Sequence, residues 1–227
     1  TLFRSGIYAR GNDYGLALTG DAFPDAANAL TMRRITLHLN DQIGGYFQAW
    51  GEGNHLDGFS CESNGTMGVN TSGGIRIEIN HANGMGNGGL SHGYFELNKG
   101  AYDLYIENKQ AKHVTFVLDK VFFNRASNVN YTQVNLVLRN TGGGKLTVIM
   151  RGCGFNSTSA GEDDTYVPSG SRPFFDVGTG CTLVNGGGNT FSEITSLPAG
   201  SQYRPAVSSE VTPIEISNSG VRHAANL

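Results

Sequence analysis

The sequence predicts an all-β chain wound as a right-handed parallel β-helix, a solenoid whose coils take roughly 20 or more residues. Three observations lead there. Short runs of alternating apolar and polar residues recur, Asn and Gly clusters separate them, and two-residue Asn-Gly hairpin turns are scarce. Alternation puts successive side chains on opposite faces of a strand, so each run has one face for a core and one for solvent. The scarcity of hairpin turns argues against an antiparallel meander.

The chain enters an apolar alternation at once in "TLFRSGIYAR". The open end of a strand stack needs cover, so the chain is expected to be a piece of something longer. "DAFPDAANALTMRR" carries the best helix signal, with Asp21 as a cap and Pro24 in the first turn, and is expected as a corner or cap element. Strong strands follow at Ile35 to Leu39, Leu56 to Phe59, Ile75 to Ile79, Tyr94 to Leu97, Val114 to Leu118 and Val134 to Leu138, a step of about 20 residues. Weaker strands at Tyr46 to Trp50, Leu104 to Ile106, Val121 to Phe123 and Leu146 to Met150 lie among them. Ile35, Leu37, Ile75, Ile77, Ile79, Phe95, Leu97, Phe116, Leu118, Leu136 and Leu138 are expected inward. The turns "HANGMGNGG", "NRASNVN" and "RNTGGGK" use residues that tolerate positive φ. After about residue 157 the rhythm loosens through "STSAGEDDTYVPSGSRP", and one more coil follows in "FFDVGTGCTLVNGGGNTF". The β-helix is expected over residues 1–195, and residues 196–227 as a C-terminal tail or cap.

Composition removes several classes of function. With 16 basic and 19 acidic residues the formal charge is −3, which disfavours a nucleic-acid partner that works by counterion release. No run of 18 apolar residues exists, so no membrane helix is expected. Cys61, Cys153 and Cys181 are odd in number and lack CxxC spacing; they are expected as buried thiols, not as a metal site. "GMGNGG" lacks the strand-to-helix context of a nucleotide cradle, and Glu162-Asp163-Asp164 lacks the alternating spacing of a calcium loop. Neither a cofactor nor a metal is expected.

The rhythm of "ARGNDYGLALTG", "ITLHLND", "GIRIEINHANG", "YDLYIENKQAKHVTFVLDKVFFNRAS", "KLTVIMRGCGFNS" and "CTLVNGGGNTF" resembles the right-handed parallel β-helices of the pectate-lyase-like superfamily, in particular bacteriophage tailspikes and capsule depolymerases. The resemblance covers about residues 5 to 195 and is one of architectural style. It implies a homotrimer in a virion tail, joined to other tail proteins through an N-terminal part absent from this chain, that binds and often cleaves bacterial capsule or O-antigen polysaccharide. A secreted bacterial protein, a pectin-active enzyme and a non-catalytic shaft or binding module are the alternatives. Val117, Val137 and Ile149 fall on the outward phase and would mark the trimer contact.

Like-phase residues of a solenoid stack about 4.8 Å apart. The outward column then reads His38, Asp57, Arg76 with Glu78, Glu96, Thr115 with Asp119, and Asn135 with Arg139. Glycoside hydrolysis needs two carboxyls, about 5 Å apart for retention or roughly 6.5 to 9.5 Å for inversion. Asp57, Glu78 and Glu96 are therefore the expected catalytic carboxylates of an endoglycosidase, slightly favouring inversion, with one carboxyl pKa raised by its neighbours. Trp50, Arg76, His81, Tyr94 and Asp119 are expected to hold the glycan through aromatic faces and planar polar groups. A lyase, second in order, would use His81, Arg76 and Tyr94 as base and charge-steadying groups. The plain alternative is a solvated strand face.

Overall fold

The computed structural model describes residues 3–18, 30–48, 50–80, 87–126, 134–158, 174–191, 214–217 and 220–223. Asp21, Pro24, His81 and the Glu162 to Asp164 run lie outside the described residues. In chain order the strands are β1 (Phe3–Arg10), β2 (Tyr14–Leu18), β3 (Thr31–His38), β4 (Ile43–Phe47), β5 (His55–Glu62), β6 (Gly73–Ile79), β7 (Gly88–Glu96), β8 (Tyr102–Asn108) and β9 (His113–Ala126). There follow β10 (Val134–Asn140), β11 (Lys145–Arg151), β12 (Gly154–Thr158), β13 (Phe175–Val177), β14 (Cys181–Asn185), β15 (Thr190–Phe191), β16 (Ile214–Ser217) and β17 (Gly220–His223). Among the described residues there is no helix.

The strands stack as a right-handed parallel β-solenoid. One sheet runs β1-β3-β5-β7-β9-β11-β14, all parallel, with β12 and β15 continuing it past a bend. The second runs β2-β4-β6-β8-β10-β13, also parallel. At the far end β16 and β17 add antiparallel to β14, closing that edge of the first sheet. In-register partners Arg33, Asp57, Ser91, Asp119 and Arg151 fix the coil lengths. Coils of 24, 34, 28 and 32 residues result.

Each pass through the first sheet is bent at one residue of positive φ. Gly6, Arg34, Gly58, His92, Lys120 and Gly152 occupy this corner rung after rung, with φ between 50° and 77°. Six residues later comes an asparagine: Asn12, Asn40, Asn64 and Asn98 follow Gly6, Arg34, Gly58 and His92. A second left-handed residue, Gly11, Leu39, Ser63 or Leu97, precedes each of these asparagines and turns the chain toward the second sheet. The cassette between the two corners is thus constant, and the coil-length differences lie outside it.

The asparagines form a buried ladder. Asn40 donates from its backbone N and its Nδ2 to Asn64 Oδ1 at 3.1 and 2.7 Å, and Asn64 repeats both bonds to Asn98 Oδ1 at 3.0 and 3.1 Å. Their amides also donate to Ala9 O, Leu37 O and Cys61 O, so each buried amide ties two rungs together. Room for the ladder comes from the facing strand: a Cβ at Gly15 would sit 2.6 Å from Asn40 Nδ2, and one at Gly44 2.9 Å from Asn64 Cγ. The ladder ends where Asp103 replaces this glycine column. Its carboxylate accepts from Asn98 at 3.0 Å and from Asn135 at 2.6 Å, both wholly buried.

Inside, the apolar phase fills one continuous core. Phe95 stacks on Phe123 at 4.9 Å and Phe123 on Phe155 at 4.6 Å, nearly parallel, with Phe59 and Phe175 edge-on at the two ends. Such offset pairs add about 0.5–1.5 kcal/mol each beyond burial. Ten of the residues expected inward are buried; Leu97 instead occupies a left-handed corner and is half-buried. The three cysteines are buried free thiols as expected, and burial pushes the Cys153 and Cys181 thiols up to about 11.

Spacing by strand strength misleads in one respect. Strands centred near 77 and 136 belong to the second sheet, as β6 and β10, whereas those near 37, 57, 96 and 116 belong to the first. A single outward column through all six therefore does not exist. Asn135, placed outward by that column, is wholly buried and bonded to Asp103. Val137 is also buried, and Val117 and Ile149 are half-buried, so no exposed apolar strip runs through these three.

Candidate functional site

The expected acidic cleft is divided between two sheets. Asp57 and Glu96 lie on the first, on opposite sides of the bend residues, and Glu78 lies on the second. Each has its own surroundings. Trp50 is removed from any glycan face: it is 1% exposed, packed between Phe47 at 5.3 Å and Phe116 at 5.9 Å.

Asp57 sits just before the bend, in a column with Arg33, Ser91 and Asp119. Its Oδ1 accepts from Ser91 Oγ at 2.7 Å and from His92 Nδ1 at 3.0 Å, and Arg33 Nε lies 3.6 Å from Oδ2. The Ser91 hydrogen bond, opposed by partial burial and aided by His92, holds the Asp57 carboxyl below its usual range. Ser91 Oγ also lies 2.7 Å from His55 Nε2. Its one proton goes to Asp57, so the imidazole offers Nε2–H to the hydroxyl oxygen. Burial lowers the His55 pKa, against the pull of Asp57, which favours a neutral ring.

Glu78 points outward from β6 yet is 2% exposed, because other outward side chains close over it. Arg76 Nε and Nη2 reach its Oε1 at 2.8 and 2.7 Å, and Lys109 Nζ reaches Oε2 at 2.7 Å. Burial pushes this carboxyl up, but Lys109 and Arg76 outweigh it and the net shift is down. Glu107, one rung on, accepts from Thr141 Oγ1 at 2.7 Å and Tyr105 Oη at 3.2 Å. The Arg76 guanidinium lies over the Tyr105 ring at 4.6 Å and nearer its edge of reach over Tyr46 at 5.9 Å. Burial and the adjacent Glu107 push the Tyr105 phenol up to about 12, so it stays a donor. Arg139 pairs with Asp176 at 2.6 Å at the end of the row. The cluster is an outer seal of matched charges. The raised carboxyl pKa expected of a proton donor is found on neither Asp57 nor Glu78; both are lowered.

Beyond the bend, the outward face of the first sheet is open. Tyr94 and Phe122 are in register on neighbouring rungs and are 39% and 48% exposed, with Tyr8, Thr36 and Ser60 preceding them in the same column. Two residues further along lie Arg10, His38, Glu62, Glu96 and Asn124, also in register. Asn124 Nδ2 donates to Glu96 Oε1 at 2.8 Å. Glu62 and Glu96 are on adjacent strands, about 4.8 Å apart at the backbone. Among the described residues neither makes an ion pair.

The structure therefore brings together Tyr94 with Glu96, and Asp57 with Asp119 two rungs away in one column, but not Asp57 with Glu78. Strand strength as a guide misses Glu62, Ser91, His55, Glu107 and Lys109. The signal that finds the first three is the six-residue cassette: aligning Asn40, Asn64 and Asn98 sets Glu62 beside Glu96 and Asp57 beside Ser91. No protein family matches the chain, and no curated protein or solved structure matches it either.

Proposed function

We propose that this chain binds bacterial surface polysaccharide along the open outer face of its first sheet, as the β-helix of a tailspike-type receptor-binding protein. The observation that carries the reading is the exposed pair Tyr94 and Phe122, set one rung apart beside Glu62, Glu96 and Asn124. A sugar ring presents C–H bonds to an aromatic face and hydroxyls to carboxylate and amide groups, and this strip supplies both in parallel rows. Cleavage, where it accompanies binding, falls to Glu96 with Glu62. Carboxylates on adjacent rungs suit the 5–5.5 Å separation of a retaining hydrolase better than the inverting geometry expected of a carboxyl pair two coils apart.

Binding without cleavage is the second reading, favoured by one observation: Asp57 and Glu78 are both held ionised by partners, so neither serves as an acid near neutral pH. A panel of purified capsules separates the two. The expected result is binding to one capsule that weakens about tenfold or more in Tyr94→Ala with Phe122→Ala, as for loss of aromatic contacts. Reducing ends that appear with the parent and disappear in Glu96→Gln support hydrolysis. No capsule bound at any concentration tested, with the fold intact by circular dichroism, refutes the reading.

A further inference from the structure

The bend in the first sheet can be made by glycine at no steric cost, and on several rungs it is: Gly6, Gly58 and Gly152 stand there. On the remaining rungs from β1 to β12 the residue is Arg34 at φ 55°, His92 at φ 50° and Lys120 at φ 53°. All three are exposed, and all three are basic side chains held in a conformation L-residues avoid. The second corner provides a comparison. Its non-glycine occupants are Leu39, Ser63 and Leu97, none of them basic, so left-handed geometry by itself does not select cations.

The surface beside the bend is biased the same way. On the strand segments leading into it, residues 31–34, 55–58, 88–92, 113–120 and 145–152, the charged residues are Arg33, Arg34, Lys120, Lys145 and Arg151 against Asp57 and Asp119. Five positive and two negative give a net +3 with histidines neutral, on a chain whose formal charge is −3. Three of the six histidines, His55, His92 and His113, share this face. Among the described residues Arg34 and Lys120 have no ion-pair partner. The charges are strung along the solenoid axis at multiples of the 4.8 Å rung spacing, a straight rail and not a pocket.

We infer that this corner is a cationic rail for an extended anionic glycan, one bearing carboxylate groups along its length, and that the strain at Arg34 and Lys120 is retained to present their charges, with the His92 ring as a hydrogen-bonding group between them. The inference rests on the polysaccharide-binding reading and narrows the ligand to an acidic chain. A glycan is favoured over a nucleic acid because the chain as a whole is acidic and the rail borders hydroxyls and exposed rings: Thr115 and Thr147 on one side, Tyr94 and Phe122 on the other.

The test compares the parent with Arg34→Gly/Lys120→Gly. Glycine suits the left-handed backbone, so the variant should unfold at the same or a higher temperature than the parent. Its affinity for a polyuronate should nevertheless fall about tenfold or more at low ionic strength, and the salt dependence of binding should become shallower. The same polyuronate with its carboxyls reduced to alcohols is the control, and it should bind the two proteins equally. Three results overturn the inference: equal affinity of parent and variant for the polyuronate, equal affinity of the parent for the acidic and the reduced polymer, or competition by duplex DNA at equal charge concentration. If neutral capsules still bind through Tyr94 and Phe122 while the polyuronate does not, the rail alone fails. If no glycan of either kind binds, the broader reading fails with it.

Discussion

Removing one member of the asparagine ladder tests the energetic basis of the fold. Asn64 is fully buried and its side chain serves five groups: it accepts from Asn40 N and Asn40 Nδ2, and donates to Leu37 O, Asn98 Oδ1 and Cys61 Sγ. Three of the five keep another partner: Asn40 Nδ2 still reaches Ala9 O, Asn98 Oδ1 still accepts from the residue-64 backbone N, and Cys61 Sγ still reaches Asn98 Oδ1. Asn64→Ala strands the Asn40 N–H, removes the amide bonds to Leu37 O and Asn98 Oδ1, and opens a void no wider than an amide. At about 1–3 kcal/mol for the buried group left unpaired and about 1 kcal/mol for each of the two bonds lost, the loss is about 4 kcal/mol. With a urea m-value near ~2.5 kcal/mol/M the midpoint should drop by about 1.5 M without a change in slope. Asn64→Asp keeps the shape, replaces the donor with a second acceptor facing Leu37 O and Asn98 Oδ1, and should cost at least as much. A midpoint within about 0.2 M of the parent for Asn64→Ala would mean that water or rearrangement satisfies the ladder as well as the amide does, and would refute the account.

Acid should destabilise the protein in two stages. His55 has a folded pKa below its ordinary 6.5, so as pH falls under that value the unfolded chain takes a proton the folded one resists. Asp57 and Glu78 have folded pKa values below 3.8 and 4.5, so their stabilisation is present above those values and lost as pH falls through the lower folded ones. Denaturant midpoints measured from pH 7.5 to 3 check both stages, and His55→Gln should abolish the first. Glu78→Gln should cost about 3 kcal/mol, since it strands Arg76 and Lys109 over a sealed site, contrary to the near-neutral effect expected of a catalytic carboxylate in an open cleft; calorimetry decides. Gly93→Ala should cost about 1–3 kcal/mol by overpacking, because a Cβ there runs into the Phe59 ring, and shaving that ring with Phe59→Leu should recover part of the loss.

The parallel solenoid was legible because alternation and turn chemistry are local: Ile75, Ile77 and Ile79 face inward in any register that leaves Arg76 and Glu78 outside. Which coil each strand belongs to was not, since apolar strength is the same for a strand of either sheet. Pairing is set by corners, and the corners are written in weakly apolar residues: His92 at a bend reads as an ordinary polar residue, and Asn98 as a turn former. The candidate site suffered accordingly. Glu96 and Tyr94 can be placed on one face because they stand two residues apart on one strand, whereas Glu62 becomes the neighbour of Glu96 only when the loop of residues 63–72 and the whole of β6 are skipped. Trp50 was misplaced for another reason, that a large amphipathic ring suits a core and a sugar equally well.

The fixed six-residue interval from bend to ladder has an evolutionary consequence. Between Asn64 and His92 the chain spends 28 residues where Asn40 to Gly58 takes 18, and the strands before and after still fall in register. Insertions there change only what decorates the outside of the coil. One residue added between Gly58 and Asn64 would reverse Cys61 and Glu62 across the sheet and carry the ladder amide out of reach of its neighbours. The chain is therefore divided into stretches that can drift freely and short rulers that cannot, so that new surface chemistry can be tried on a coil while the next coil remains unaware of it.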